Sequence, residues 1–293
     1  MPPTLISQRD LNTRELFSVR QILLSRGFEV TQSDTVEKLL LTEENQYDEI
    51  WSVLYNIYND NKLRTELKNY LYKKYESKSN EIYKLLNHPK FVNEYNRFDN
   101  TFEWFAGELM IKKFAAFSAS FGIKVRDIMR NSTETDAGDF DSLVVLRDTN
   151  LAYFECKAGS FDNDSIDKCY QRMLSLNCEY SILFCVENLE EQKIIWDTSK
   201  VKISVINGHY LNKINIKGGQ QDVVYDLHNC YILDMSGNIE NKIRTVLRVN
   251  AAKINQLHFG IGVDNETFGQ LGYDVQTIDT QSYSEWKDAK INL

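Results

Sequence analysis

Apolar positions recur at helical intervals through the first hundred residues. Arg9 to Arg26 carries Leu11, Leu16, Phe17, Ile22, Leu23 and Leu24, the spacing of an amphipathic helix. Tyr47 to Leu86 repeats the pattern with Ile50, Leu54, Ile57, Leu63, Leu67, Leu71, Ile82 and Leu85. A further helix is expected over Thr101 to Phe121, where Phe102, Phe105, Leu109, Met110, Phe114 and Phe117 fall largely on one face. After Gly122 the period shortens. Ile123 to Met129 reads as extended, Asn131 to Gly138 as a polar loop, and Phe140 to Leu146 as an apolar strand. A short turn at Arg147 to Asn150 leads into a second strand, Leu151 to Lys157. Asp164 to Asn177 reads as a helix and Tyr180 to Val186 as a buried strand. Helix, strand, strand, strand, helix, strand is the order of a mixed α/β core.

Beyond Asn188 the pattern thins. Val201 to Ile206 and Cys230 to Met235 read as strands and Ile239 to Val249 as a helix, whereas Gly260 to Leu293 has no clear period. The expected organisation is a helical N-terminal region over 1–100, an α/β core over 101–190, and an α+β C-terminal extension over 191–293 packed on that core. No internal repeat or low-complexity tract appears.

Composition narrows the class. With 42% hydrophobic and 26% charged residues, the chain is in the range of ordinary globular proteins. No apolar run reaches the length of a membrane span, and Met1 to Arg20 lacks the apolar stretch of a signal peptide. The five cysteines, Cys156, Cys169, Cys178, Cys185 and Cys230, form no C-x-x-C pair. They read as buried thiols in a reducing, cytoplasmic setting. The four histidines, His88, His209, His228 and His258, lack H-x-x-x-H spacing, which argues against zinc. Neither a P-loop nor a G-x-S-x-G elbow is present.

A net charge of −8 counts against a protein that coats nucleic acid. It does not exclude a site that gathers carboxylates around cations, because bound cations reverse the local field. Lys62 to Lys90 is locally basic, with eight Lys/Arg against three Glu and Tyr70, Tyr72, Tyr75 and Tyr83 between them. That stretch reads as the solvated face of a helical hairpin in preference to a strip for single-stranded nucleic acid.

The chemistry concentrates in two short runs. In Gly138-Asp139-Phe140-Asp141-Ser142-Leu143-Val144-Val145, acids stand at the mouth of an apolar strand. Burying them is costly unless a cation compensates. In Ala152-Tyr153-Phe154-Glu155-Cys156-Lys157, Glu155 and Lys157 interrupt a strand that is otherwise fit for burial. Two apart on a strand, they project from the same face. If the two strands form a hairpin, Asp141 comes near them. Two acids and a lysine so placed suit phosphodiester hydrolysis. Asp141 and Glu155 would hold Mg²⁺, or Mn²⁺ in its place, through hard oxygens. Lys157 would orient or deprotonate water, or neutralise charge at phosphorus. The backbone carbonyl of Cys156 could complete the metal shell, its side chain pointing to the opposite face.

Asp141 followed by Glu155-Cys156-Lys157 resembles the D…(D/E)-x-K signature of the PD-(D/E)xK, or restriction-endonuclease-like, nuclease superfamily. The resemblance covers roughly Glu108 to Glu187. It implies a restriction-endonuclease-like mixed sheet flanked by helices. It also implies a metal-dependent endonuclease acting on DNA, with RNA as an alternative, in settings such as restriction or anti-phage defence. Glu108 matches the acid that a preceding helix often supplies, and Gln171 best matches a polar residue on the following helix, with Lys168 and Arg172 beside it. The chain has Phe140 where the namesake proline stands, and Asp139 is a second candidate metal ligand two residues before Asp141. Duplex cleavage needs two sites, so a homodimer is the default expectation. The alternatives are a catalytically inactive nucleic-acid-binding module that keeps the fold, and a regulatory protein whose N-terminal helices bind a partner.

Overall fold

The computed structural model describes residues 17–34, 51, 55, 99–129, 139–147, 149–157, 161, 163–186, 189, 212–216, 222–259 and 273–277. Most of the expected 47–86 helical stretch, the basic run 62–90 and the expected strand 201–206 lie outside them.

Four helices and nine strands are described. They are α1 (Val19–Ser25), β1 (Phe28–Asp34), α2 (Asp99–Phe114), β2 (Ser118–Asp127), β3 (Phe140–Val145), β4 (Leu151–Lys157), α3 (Asn163–Ser175), β5 (Tyr180–Cys185), β6 (Asn212–Ile216), β7 (Val223–Leu227), β8 (Cys230–Asp234), α4 (Ile239–Phe259) and β9 (Tyr273–Thr277). All nine strands join one mixed sheet in the order β1-β2-β3-β4-β5-β8-β7-β6-β9. The architecture is α/β, with α2, β2, β3, β4, α3 and β5 in the order expected from the pattern.

At the centre, β4 pairs parallel with β5, and β5 parallel with β8. Parallel strands covered on both faces should be apolar at every position. Accordingly β5 is buried throughout, as is β4 up to Cys156. One face carries Val144, Ala152, Phe154, Cys156, Ile182, Phe184 and Leu233, packed with Phe102, Phe105 and Leu109 of α2 and Ile243 and Val246 of α4. The other carries Leu143, Val145, Leu151, Tyr153, Leu183, Cys185 and Ile232, packed with Leu23 of α1 and Ile166, Cys169 and Met173 of α3. All five cysteines are buried and free. No helix among the described residues is long and apolar enough to cross a membrane.

Several elements differ from the pattern-based expectation. The helix expected over Thr101 to Phe121 stops at Phe114, and Ser118 to Phe121 already belong to β2. The chain turns at Ala115, whose φ is 56°, and Ala116 N–H returns to the Met110 carbonyl. The cap is left-handed on a residue that is not glycine, and its closing bond spans one residue more than that of a Schellman motif. Apolar spacing persists through Phe117 and conceals it. Phe28–Asp34, inside the region expected to be helical, forms edge strand β1, antiparallel to β2. β6, β7 and β9 lie where no strand was expected, and β9 is held as a strand by pairing with β6.

Two glycines shape the approach to β3. A Cβ on Gly107 of α2 would lie 3.0 Å from Ala119 Cβ and 3.2 Å from Ser142 Oγ, so the helix rests close on β2 and β3. Gly122, with φ 55°, falls opposite Asp141, between the pairs Phe121↔Ser142 and Ile123↔Phe140. Phe121 packs in the α2 layer but Ile123 in the α3 layer. The left-handed glycine therefore twists β2 about its own axis, as bulge-like distortions do.

Because α2 has no slack over β3, Gly107→Val is expected to destabilise the protein by about 1–3 kcal/mol through overpacking. Urea unfolding followed by circular dichroism measures this. An unchanged midpoint would show that the helix can lift away at no cost.

Candidate functional site

β3 and β4 form the expected antiparallel hairpin, but their register ends at Ser142↔Phe154. Glu155, Cys156 and Lys157 continue along β5 beyond the end of the β3 register. Where the ladder opens, the Asp141 carboxylate replaces backbone: Cys156 N–H donates to Asp141 Oδ2 at 2.8 Å. A strand end that would otherwise zip closed is held apart by a side chain. Asp141 is thereby drawn toward the α3 side of the sheet, where Tyr153, Glu155 and Lys157 project.

These side chains meet in one ionic cluster. Lys157 Nζ donates to Glu155 Oε1 at 2.7 Å. Arg172 Nη1 donates to Glu155 Oε2 at 2.8 Å and to the Tyr153 hydroxyl at 2.9 Å. The Tyr153 hydroxyl in turn donates to Glu155 Oε2. Arg172 Nη1 also lies 3.8 Å from Asp141 Oδ1, so both carboxylates are within ion-pair range of one nitrogen. The guanidinium sits over the Phe140 ring, 5.5 Å from its centroid. The Glu155 side chain is 1% exposed, whereas that of Asp141 is 15% exposed and that of Lys157 26%. The cluster is closed on the α3 side and open toward Asp141 and Lys157.

Its electrostatics follow from that geometry. Burial, reinforced by the charge of Glu155, pushes the Asp141 carboxyl up to about 7, against the opposing effects of Cys156 N–H, Lys157 and Arg172. Burial would raise Glu155 as well, but Lys157 and Arg172, with hydrogen bonds from Lys157 and Tyr153, hold it below the ordinary carboxylate range. Tyr153 is pushed up by burial and by the two acids and remains a donor. Burial works against the cationic form of Lys157, yet Glu155 and Asp141 keep its pKa above the usual lysine value.

Of the residues singled out in the sequence, Asp141, Glu155 and Lys157 are brought together. The Cys156 side chain packs in the opposite layer, with α2. Gln171 is exposed. The apolar stripe Ile166, Cys169, Tyr170 and Met173 sets the buried face of α3, and at about 100° per residue Gln171 falls behind it, while Arg172 flanks it and turns inward. Asp139 is 64% exposed and pairs with Lys124 at 3.4 Å. Glu108 is half-buried on α2, while from the same helix the charge of Glu103 acts on the Cys156 thiol. Asp141 and Glu155 are the hard-oxygen donors of the cluster. Among the described residues, no group of three or more His, Cys, Asp or Glu side chains is arranged to hold a metal ion. Tyr153 and Arg172 carried little signal of their own in the sequence: a tyrosine suits any buried strand, and only the helix phase separates Arg172 from Gln171.

No protein-family model matches the chain, and neither does any curated protein. Among solved structures, the chain is similar to Can2 from Sulfobacillus thermosulfidooxidans in complex with cyclic tetra-adenylate, at 14% identity and a TM-score of 0.31. The match covers 57% of this chain and 51% of Can2, so it spans about half the length of that protein. A likeness this slight carries no functional inference.

Asp141 binds a proton more readily in the folded protein, at about 7, than at its ordinary 3.8. Its contribution to stability is therefore favourable at low pH and is lost as pH rises through 7. Asp141→Asn is expected to stabilise the metal-free protein by about 1–3 kcal/mol at pH 8, an advantage that shrinks as pH falls below 7 and is gone near pH 4. Thermal melts of both proteins in EDTA at the two pH values provide the check. A variant less stable than wild type at pH 8 contradicts the raised proton affinity.

Proposed function

We propose that the chain is a divalent-metal-dependent endonuclease that hydrolyses phosphodiester bonds of DNA, with RNA as the second candidate substrate. The observation that carries this reading is the convergence of Asp141, Glu155 and Lys157 at the open end of the β3–β4 hairpin. There, two carboxylates lie within reach of one Arg172 nitrogen. The helix-strand-strand-strand-helix-strand order around them supports it, being the order that the PD-(D/E)xK resemblance implies. A setting in restriction or anti-phage defence, and a homodimer with paired sites, belong to the same proposal.

The donor set fits Mg²⁺ or Mn²⁺. These ions accept one or two protein carboxylates and fill the remaining positions with water and phosphate oxygens. Asp141 and Glu155 are two such ligands, and burial makes Asp141 an oxygen in want of a positive charge. The bound ion would supply Lewis acidity toward a phosphate oxygen and acidify water. The residues do the rest. Asp141 and Glu155 would hold the ion at the splayed strand end. Lys157, on the open side, would present its ammonium to the charge that develops on phosphorus, in surroundings of low dielectric. Arg172 and Tyr153 keep Glu155 ionised and fixed in place.

The protein incubated with supercoiled plasmid, single-stranded DNA and RNA is expected to cleave at least one of them with Mg²⁺ or Mn²⁺ and none with EDTA. Asp141→Ala, Glu155→Ala and Lys157→Ala should each lower the rate by about 100- to 1000-fold. Binding without cleavage at high protein concentration would instead identify an inactive nucleic-acid-binding module.

A further inference from the structure

Each carboxylate of the cluster has one committed oxygen and one exchangeable oxygen. Asp141 Oδ2 accepts Cys156 N–H at 2.8 Å, while Oδ1 faces Arg172 at 3.8 Å, beyond hydrogen-bond range. Glu155 Oε2 accepts from the Tyr153 hydroxyl and from Arg172. Oε1 accepts from Lys157.

The two cations that serve Glu155 are not equivalent. Arg172 is buried, bonded to Tyr153 at 2.9 Å and seated over the Phe140 ring. Moving it would strip the buried Tyr153 hydroxyl and Glu155 Oε2 of their shared cationic donor. Lys157 is 26% exposed, has a flexible stem, and recovers water when it leaves Glu155. An incoming cation competes with the partner that costs least to release. That partner is Lys157.

Resting on the metal-dependent reading above, we propose that Lys157 is an exchangeable counter-cation. It occupies Glu155 Oε1 in the resting protein and gives that oxygen up when a divalent ion is bound, while Tyr153 and Arg172 stay clamped on Oε2. Loading of the site and release of the lysine toward the substrate side are then one event. The same ammonium that neutralises Glu155 at rest becomes free to meet a phosphate only once the site is charged. Unloaded protein would thus hold its lysine back from nucleic acid.

The test uses the full chain and Mn²⁺ itself. Free Mn²⁺ is titrated by electron paramagnetic resonance against wild type and Lys157→Met. Removing the competing ammonium is expected to tighten Mn²⁺ binding by about tenfold, although the same variant loses cleavage. In parallel, wild-type protein is reductively methylated with and without Mn²⁺, and the Lys157 peptide is quantified by mass spectrometry. Lys157 is expected to be modified severalfold faster when Mn²⁺ is bound. Wild-type protein that binds Mn²⁺, with no gain in Lys157→Met and no change in Lys157 modification, overturns the exchange but leaves the metal-dependent reading intact. Failure of wild type to bind Mn²⁺ removes both. The methylation measurement needs no variant, so a Lys157→Met protein that fails to fold does not shield the proposal.

Discussion

The structure depends on how it deals with a full negative charge placed inside its central strand. Glu155 is 1% exposed, between strands that are apolar on either side. An unpaired carboxylate there would cost many kcal/mol or become neutral. Three donors prevent that: Lys157 two residues along the same strand, Tyr153 two residues back, and Arg172 from the helix that follows. Two of the three come from β4 itself by the period of two, so the strand carries most of its own compensation. The third requires α3 to lie where it does, with Ile166, Cys169 and Met173 against the sheet. Packing of α3 and ionisation of Glu155 are therefore one constraint.

The rest of the sheet holds that strand end open and in place. β4, β5 and β8 run parallel, and Lys157, Cys185 and Asp234 form one row across their carboxyl ends. Such an edge is where open α/β sheets expose polar groups. At its far side Asp234 is buried with Lys242 of α4 and Ser236, and accepts Leu189 N–H at 2.7 Å. Every group in that second cluster is satisfied and enclosed. It fastens the start of α4 and Leu189 to the sheet. The contrast is instructive: the same kinds of side chain, closed on all sides, act as a rivet, whereas around Asp141 and Lys157 one side remains open.

Much of the hairpin was legible before the fold was known. The interruption of an apolar strand by Glu155 and Lys157 is conspicuous because burial makes it expensive, and the period of two places both on one face. Asp141 was legible for the same reason. What pattern could not convey was phase and cap geometry. Gln171 and Arg172 are adjacent in sequence, and only the stripe on α3 decides which turns inward. Tyr153 gave no warning, since its ring belongs in a buried strand and its hydroxyl acquires a role only through Glu155 and Arg172. The helix ending at Ala115 was masked by phenylalanines that continue the helical spacing into a strand. β9 is only five residues long, a short alternation of Tyr273, Val275 and Thr277 with Asp274 and Gln276, and β6 offers it an edge.

Two acids facing two bases could equally describe a neutral, inert ion network, so composition cannot separate a site from a rivet. The backbone does. In an inert hairpin β3 and β4 would have remained paired past Ser142 and Phe154, each N–H answered by a carbonyl. Here Cys156 N–H is answered by the Asp141 side chain instead. Gly122, left-handed on the neighbouring strand, stands directly opposite the same residue. Ladder pairing has been given up to hold a carboxylate at a fixed place beside another. Buried Asp141 also keeps a high proton affinity, at about 7, which means that its negative charge is under-compensated by the protein alone. On the proposed reading, this acid, beside an open edge and a lysine that can exchange, is where a divalent ion would enter.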